Sequence, residues 1–109
     1  MTPAEELRVA AEKLRTLSTE ASEPPWTVNQ WGNVESADFA EAAEVWPLQA
    51  KPGANADYIA AMHPGVGAAL ADWLDAYAEH LAATTHPGWQ ETTAPVQLAV
   101  ARQILGSQP

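Results

Sequence analysis

The sequence has no cysteine, few basic residues and no long apolar run, and each absence excludes a class of protein. Without cysteine, disulfide and thiolate chemistry are excluded. Five Lys and Arg against fourteen Asp and Glu give a net charge of −9, so the chain lacks the cationic face that phosphates or an anionic membrane require. No apolar run approaches the roughly 18–20 residues that span a bilayer, and the N-terminus does not resemble a signal peptide. We therefore expect a cytoplasmic protein that binds neither membranes nor nucleic acid directly.

The 109 residues are enough for one domain with a single core, which we place at 1–109. Hydrophobic residues make up 47% of the chain, which is typical of a globular protein. Twenty-three residues are Ala, which favours helices but adds little volume to a core. Much of the missing volume must come from five tryptophans: Trp26, Trp31, Trp46, Trp73 and Trp89.

The N-terminal segment predicts a helix over 3–22. Thr2 and Glu5 have the spacing of a capping box, and Pro3 suits the first helical position. Apolar residues then recur at helical spacing, at Leu7, Ala10, Ala11, Leu14, Leu17 and Ala21. We favour an amphipathic helix that lies on its own core, with a homodimer through helix 3–22 as the alternative. Pro24 and Pro25 end the helix.

The next segment, 26–48, contains a conflict between strand and helix. Trp26 and Val28 alternate with polar residues, as in a short strand, and a Gly-Asn turn follows. Residues 38–44, however, have the local pattern of a capped helix, with Asp38 and Glu41 at capping-box spacing. On local propensity alone, residues 38–44 predict a helix.

The second half of the chain predicts three more helices. The first spans 55–62 and the second 64–82, with Pro64 in its first turn. The second carries a strong apolar stripe, formed by Val66, Leu70, Trp73, Leu74, Tyr77 and Leu81. We expect a loop over 83–93 and a last helix over 95–105 that stops at Gly106.

The sequence contains no convincing catalytic or metal-binding motif. A metal site would need the three histidines, His63, His80 and His86, to come together with a carboxylate such as Asp57 or Glu79. Their spacing in the sequence does not match any of the close-spaced zinc signatures. His63 and His86 each precede Pro-Gly, where a capping or turn role is simpler. Carboxylate pairs at i, i+3, such as Asp72 with Asp75 or Glu41 with Glu44, are usually part of a solvated face. We expect no enzyme activity, no cofactor and no metal.

Two tryptophans are candidates for binding. Trp73 lies on the helical stripe and is expected in the core, whereas Trp31 is beside a turn and Trp89 is in the predicted loop. Exposed tryptophans often anchor protein interfaces, so Trp31 and Trp89 are the candidate binding residues.

Several strings resemble the Ead-like phage proteins, which are small accessory proteins from phage and prophage regions, and in particular the versions of actinobacteria and their phages. They are PWTV at 25–28, ANADYIAA at 54–61, AALADWL at 68–74 and LAVARQIL at 98–105. Each string is short and structural in character. The resemblance covers roughly residues 3–81 and touches the last string. It implies no catalytic or ligand-binding residues.

The resemblance implies a small antiparallel meander with strands at 26–30, 33–36 and 42–48 and a turn near Asp38, although this chain lacks the glycine usual at that turn. The expected fold is therefore α+β: an N-terminal helix, a two- to three-strand meander, two consecutive helices and a C-terminal helix, with all-α as the alternative. A small sheet must be covered by helices. We expect its buried side to pack against the third helix; the contributing residues are Trp26, Val28, Val45 and Trp46 on the sheet and Leu70, Trp73 and Tyr77 on the helix.

The functional hypothesis is a non-catalytic accessory protein of phage or prophage origin that binds a host or phage protein. The alternative is an acidic mimic of nucleic acid that inhibits a DNA-handling enzyme, because residues 24–80 carry eight acids against one lysine. A small hydrolase or metal protein has little support.

Overall fold

The structure, a computed structural model, describes residues 1–46, 51–83 and 86–106. Within them the chain forms five helices and one three-stranded antiparallel sheet of order β1-β2-β3. In chain order these are α1 (Pro3–Glu20), β1 (Thr27–Val28), β2 (Val34–Glu35), β3 (Glu41–Ala43), α2 (Pro52–Ala61), α3 (Pro64–Ala82), α4 (Pro87–Thr93) and α5 (Pro95–Leu105). The predicted α+β class and the order of its elements are confirmed.

The chain is organised into two compact units. We call Met1–Thr16 with Ala68–Pro109 the helical unit, and Leu17–Gly67 the sheet unit. Each has its own cluster of buried side chains.

The core of the helical unit is built from leucines and alanines of α1, α3 and α5. Leu7, Leu74, Leu81 and Leu98 are fully buried. Alanines fill the spaces between them, and Trp73 and Tyr77 pack at the edge, where their rings meet edge-on at 6.1 Å. On α1, Leu7, Ala10 and Ala11 are buried in this core, whereas Leu17 is exposed. The apolar stripe of α1 therefore packs on the core of its own chain as far as Leu14.

The start of α1 has one of the two hydrogen bonds of the predicted capping box, and the other is replaced by a bond between the Thr2 and Glu5 side chains. The amide of Glu5 donates to Oγ1 of Thr2 at 3.2 Å, and the Thr2 hydroxyl donates to Oε1 of Glu5 at 3.1 Å. These bonds satisfy one of the backbone amides that the first turn of a helix leaves without a partner.

The predicted loop over 83–93 is wrong for most of its length, because α4 occupies Pro87–Thr93. Pro87 is at the first helical position, and the side chain of Gln90 fixes the helix by tertiary bonds. Its Oε1 accepts the amide of Ala4 at 3.1 Å, and its Nε2 donates to the carbonyl of Leu81 at 3.3 Å. The buried Gln90 thereby joins the start of α1 to the last turn of α3.

The sheet is a meander of two hairpins with the same loop design. In the first hairpin, the amide of Asn29 donates to the carbonyl of Asn33 across the loop, at 2.8 Å. In the second hairpin, the amide of Ser36 donates to the carbonyl of Ala40 in the same way, also at 2.8 Å. The third loop residue has a positive φ, +78° at Gly32 and +66° at Phe39. Such three-residue loops, a turn closed by a left-handed residue, are common in hairpins. The meander replaces the helix that residues 38–44 suggest locally.

The carboxylate of Asp38 stabilises the second hairpin. Its Oδ1 accepts a hydrogen bond from the Ser36 hydroxyl and lies 3.4 Å from the amide of Ala40. The Ser36 hydrogen bond, followed by the Ala40 amide, lowers the pKa of Asp38 below its usual range. This side chain therefore acts in the turn, where the sequence had suggested a helix cap.

We expect Asp38→Asn to reduce the loss of stability in acid. The pKa of Asp38 is lower in the folded than in the unfolded chain, so its contribution is present above the unfolded value and is lost as the pH falls through the folded value. Urea unfolding between about pH 6 and pH 2 measures this. Asp57→Asn, which removes the same charge from the exposed side of α2, is the control for net charge. Equal acid sensitivity in Asp38→Asn and wild type would contradict the assignment.

The sheet is covered by α2 of its own unit, and this corrects the predicted packing. Val34, Val45 and Ala56 form the buried centre, and Trp26, Ile59 and Ala60 pack around it. Val28 and Trp46, predicted to be buried, are 38% and 66% exposed. The predicted partners Trp73 and Tyr77 instead pack on the core of the helical unit, and Leu70 is half-buried. The sheet packs against α2 because α2 has two small residues one turn apart, Ala56 and Ala60, and these let the helix lie close to so short a sheet.

Several predicted bounds also change. Helix 3–22 ends at Glu20, and helix 55–62 starts three residues earlier, at Pro52, which suits a first helical turn. The strands are shorter than the predicted 26–30, 33–36 and 42–48, and β3 begins one residue earlier than predicted, at Glu41. Residues 47 and 48 of the third predicted strand lie outside the described residues.

Candidate binding surface

Two exposed tryptophans lie at the same end of the sheet. In an antiparallel meander, the loop between β1 and β2 and the residues that follow β3 are at one end. Trp31 is in that loop, and the amide of Val45 donates to Oδ1 of Asn33 at 2.8 Å, which fixes the segment after β3 beside it. Trp46 follows directly. The two side chains are 71% and 66% exposed.

A third exposed aromatic residue, Tyr58, comes from α2. It is 70% exposed, because Ala56, Ile59 and Ala60 form the face that covers the sheet and Tyr58 lies off that face. Tyr58 lines a groove of about 300 Å³ together with Glu44, Val45, Asn55 and Ile59. We call Trp31, Trp46 and Tyr58, with this groove, the aromatic end of the sheet unit.

The sheet unit is strongly acidic. It has seven Asp and Glu against one basic residue, Lys51, a net charge of −6. The helical unit has seven acids against four Lys and Arg, a net charge of −3. The field around the aromatic end is therefore negative, and it favours a cationic partner over an anionic one.

In the helical unit, several carboxylates bind arginine. Arg15 contacts Asp72 at 3.0 Å and Asp75 at 2.8 Å, and these hydrogen bonds raise the pKa of the guanidinium. Arg102 contacts Glu6 at 3.0 Å and Glu91 at 2.8 Å, with the same effect on its pKa. Asp72 and Asp75 thus share a helix face, as their spacing predicts, and hold an arginine there. Glu41 and Glu44, the other pair, are not on a helix; Glu41 begins β3.

A larger cleft, of about 620 Å³, lies beside the start of α1 in the helical unit. Its lining consists of Met1, Thr2, Pro3, Glu5, Gly88 and Glu91. Both of its carboxylates have structural partners, since Glu5 accepts from Thr2 and Glu91 binds Arg102. The carboxylates of this cleft are therefore already engaged within the chain, and the smaller groove is the better binding candidate.

The three histidines lie at helix ends: His63 precedes α3, His80 is in the last turn of α3, and His86 precedes α4. Nδ1 of His63 accepts the amide of Gly65 at 3.0 Å and so caps α3, as its place before Pro-Gly predicts. His86 precedes α4, with its ring 6.5 Å from that of Trp89, and the His80 ring is 6.1 Å from that of Tyr77. Over the ranges 1–46, 51–83 and 86–106, no three His, Asp or Glu form a group that could hold a metal ion.

We expect His63→Ala to lower the free energy of unfolding by about 0.5–1 kcal/mol, because the first turn of α3 loses its side-chain cap. His63→Asn restores an acceptor and should recover most of the loss. Thermal unfolding followed by circular dichroism compares the two variants. Equal stability of His63→Ala and wild type would show that the bond to Gly65 contributes nothing.

Both predicted binding residues are exposed, Trp31 at 71% and Trp89 at 66%. They belong to different units, Trp31 to the sheet unit and Trp89 to the helical unit. Trp46, which the sequence predicts in the core, and Tyr58 are not among the predicted binding residues. For Tyr58 a signal existed, since the small residues of ANADYIAA mark one face of α2 and leave the tyrosine off it.

None of the described helices is both long and apolar enough to cross a membrane. No family model matches this chain, and no curated protein or solved structure matches it either.

Proposed function

We propose that this chain is a non-catalytic binding protein and that the aromatic end of its sheet unit contacts another protein. The observation that carries the proposal is the exposure, by about two thirds or more, of Trp31 and Trp46 at one end of a very small sheet and of Tyr58 on α2, in a groove with the residues that follow β3. Exposed aromatic side chains lose contact with water when a partner covers them, and Trp and Tyr dominate the binding energy of protein interfaces.

The chemistry of the groove supports binding over catalysis. Its lining residues are Glu44, Val45, Asn55, Tyr58 and Ile59, a set that pairs no nucleophile with a base. Arg15 and Arg102 hold several carboxylates of the helical unit in ion pairs. The groove is therefore suited to binding, and the ion pairs stabilise the fold.

The resemblance to Ead-like phage proteins supports an accessory role for a phage or prophage, inside the host cell, with a host or phage protein as the partner. The strings that carry it lie mostly on helices: ANADYIAA on α2, AALADWL on α3 and LAVARQIL on α5. The resemblance therefore concerns the scaffold, and the partner must be identified by experiment.

A second candidate function is mimicry of nucleic acid. The net charge of −6 on the sheet unit, with Lys51 as its single basic residue, favours it. A mimic would bind a cationic DNA-handling protein through many screened charges, and it would release that protein as the salt concentration rises. An interface built on aromatic side chains holds in salt.

Affinity capture from host lysate, washed at low and at high salt, tests the proposal. We expect a partner that resists salt and that is lost from Trp46→Ala and Tyr58→Ala. Trp89→Ala removes an equally exposed tryptophan of the helical unit and should retain the partner. Circular dichroism confirms that each variant is folded, and size-exclusion chromatography tests the alternative of a homodimer through helix 3–22.

Three results would overturn the proposal: no reproducible partner, a partner lost only from Trp89→Ala, or elution by salt with no effect of the aromatic substitutions. The last result would favour the mimic.

A further inference from the structure

The groove of the aromatic end combines an apolar floor, an aromatic side and an acidic rim. Val45 is buried and Ile59 is half-buried, so they form the floor. Tyr58, Glu44 and Asn55 are exposed and stand around it. We propose that this groove receives an arginine side chain presented by the protein partner, an inference that rests on the proposed function.

Each part of an arginine matches a part of the groove. The aliphatic stem packs on apolar surface, here Val45 and Ile59, while the charged head stays near water. The guanidinium stacks on aromatic rings, and Tyr58 provides one. Its five N–H donors bind carboxylates and amide oxygens, which Glu44 and Asn55 carry.

Size and charge narrow the choice of occupant. The volume of about 300 Å³ is at the lower end of the roughly 300–1,000 Å³ typical of small-molecule sites, so one side chain suits it better than a large ligand. The seven acids of the sheet unit attract a cation, and they repel a carboxylate or a phosphate. Lys51, the single basic residue of the unit, is not among the groove's lining residues.

Titration of the ¹⁵N-labelled protein with the peptide acetyl-Gly-Gly-Arg-Gly-Gly-amide tests the inference. The neutral isostere, with citrulline in place of arginine, is the matched probe. We expect saturable shifts at the amides of Val45, Tyr58 and Ile59 with the arginine peptide and much smaller shifts with the citrulline peptide. Shifts of equal size with both peptides, or none at these amides, would overturn the inference.

Variants separate the roles of the ring and the carboxylate. Glu44→Gln should weaken binding of the arginine peptide roughly ten-fold, the loss expected for one charge-assisted hydrogen bond. Tyr58→Ala should weaken it by a similar factor, and Tyr58→Phe, which keeps the ring, should not. Glu20→Gln, which removes the same charge from α1, is the control and should change the affinity less than two-fold at physiological salt. Equal effects of Glu44→Gln and Glu20→Gln would show that net charge alone attracts the arginine peptide, and they would overturn the inference.

Failure of this inference and failure of the proposed function give different results. If the captured partner is lost from Tyr58→Ala but binds Glu44→Gln as tightly as wild type, the aromatic end binds a protein but the arginine is wrong. If the partner binds both of these variants and Trp46→Ala as it binds wild type, the aromatic end is not the interface and both proposals fall.

Discussion

Replacing Gln90 with methionine should lower the free energy of unfolding by about 2–4 kcal/mol. Gln90 is 6% exposed, and its amide group is the partner of two buried backbone groups, the N–H of Ala4 and the carbonyl of Leu81. Both groups are at helix ends, where the helix itself supplies no partner. Methionine fills a similar volume without replacing either hydrogen bond, and each buried polar group left alone costs about 1–3 kcal/mol.

Urea unfolding followed by far-ultraviolet circular dichroism measures this loss. Gln103→Met is the matched control, because Gln103 is an exposed residue of α5, and we expect it to change the stability by less than about 0.5 kcal/mol. If Gln90→Met lowered the free energy of unfolding no more than Gln103→Met does, the two long-range hydrogen bonds of Gln90 would not be what holds α4 in place.

Phe39→Gly should raise the stability by about 1 kcal/mol, although it removes a large apolar side chain. Phe39 has φ +66°, in the left-handed region, which costs a non-glycine residue about 1–2 kcal/mol. Glycine adopts this conformation freely, and the larger entropy of its unfolded chain offsets only part of the gain. The ring is 81% exposed, so its removal sacrifices little burial.

The first hairpin supplies the control for this prediction. Gly32 occupies the equivalent loop position with φ +78°, and a Cβ there would have no atom within 4 Å apart from those of its own residue and its two chain neighbours, so Gly32→Ala tests the backbone conformation alone. We expect that substitution to cost about 1 kcal/mol. Phe39→Ala keeps the unfavourable φ and should be close to neutral. A loss of stability in Phe39→Gly would show that the ring packs usefully in the folded chain.

If the prediction holds, position 39 has an exposed aromatic ring although its backbone conformation favours glycine. Strain of this kind tends to occur at functional positions. Phe39 lies in the loop between β2 and β3, at the end of the sheet opposite the aromatic end. Measuring partner binding by Phe39→Gly would then show whether this second end also takes part.

The sequence predicted the class and order of elements because prolines and glycines mark the boundaries and long helices carry clear stripes. The N-terminal helix and its Thr2–Glu5 cap are the best examples. The sheet was harder, because strands of two or three residues are too short to establish an alternating pattern. Val28 and Trp46 were therefore assigned to the core although they are exposed.

Other features depend on partners distant in the sequence. The helix at Pro87–Thr93 is fixed by a side chain that bonds a residue 86 positions away, which no local pattern reveals. The binding groove likewise brings Glu44, after β3, to Tyr58 on α2, and only the register of the sheet and the packing of α2 place them together. The exposure of Trp31 was predictable, because a tryptophan beside a Gly-Asn turn has little to pack against.

The most direct test of the account is the affinity of the purified partner for wild type and for the double variant Trp46→Ala/Tyr58→Ala, measured at physiological salt by titration calorimetry. Two interface anchors of about 1–2 kcal/mol each predict an affinity roughly 100-fold weaker for the folded double variant, and an affinity within about two-fold of wild type for Trp89→Ala. Equal affinities of wild type and the double variant would show that the aromatic end is not the binding surface.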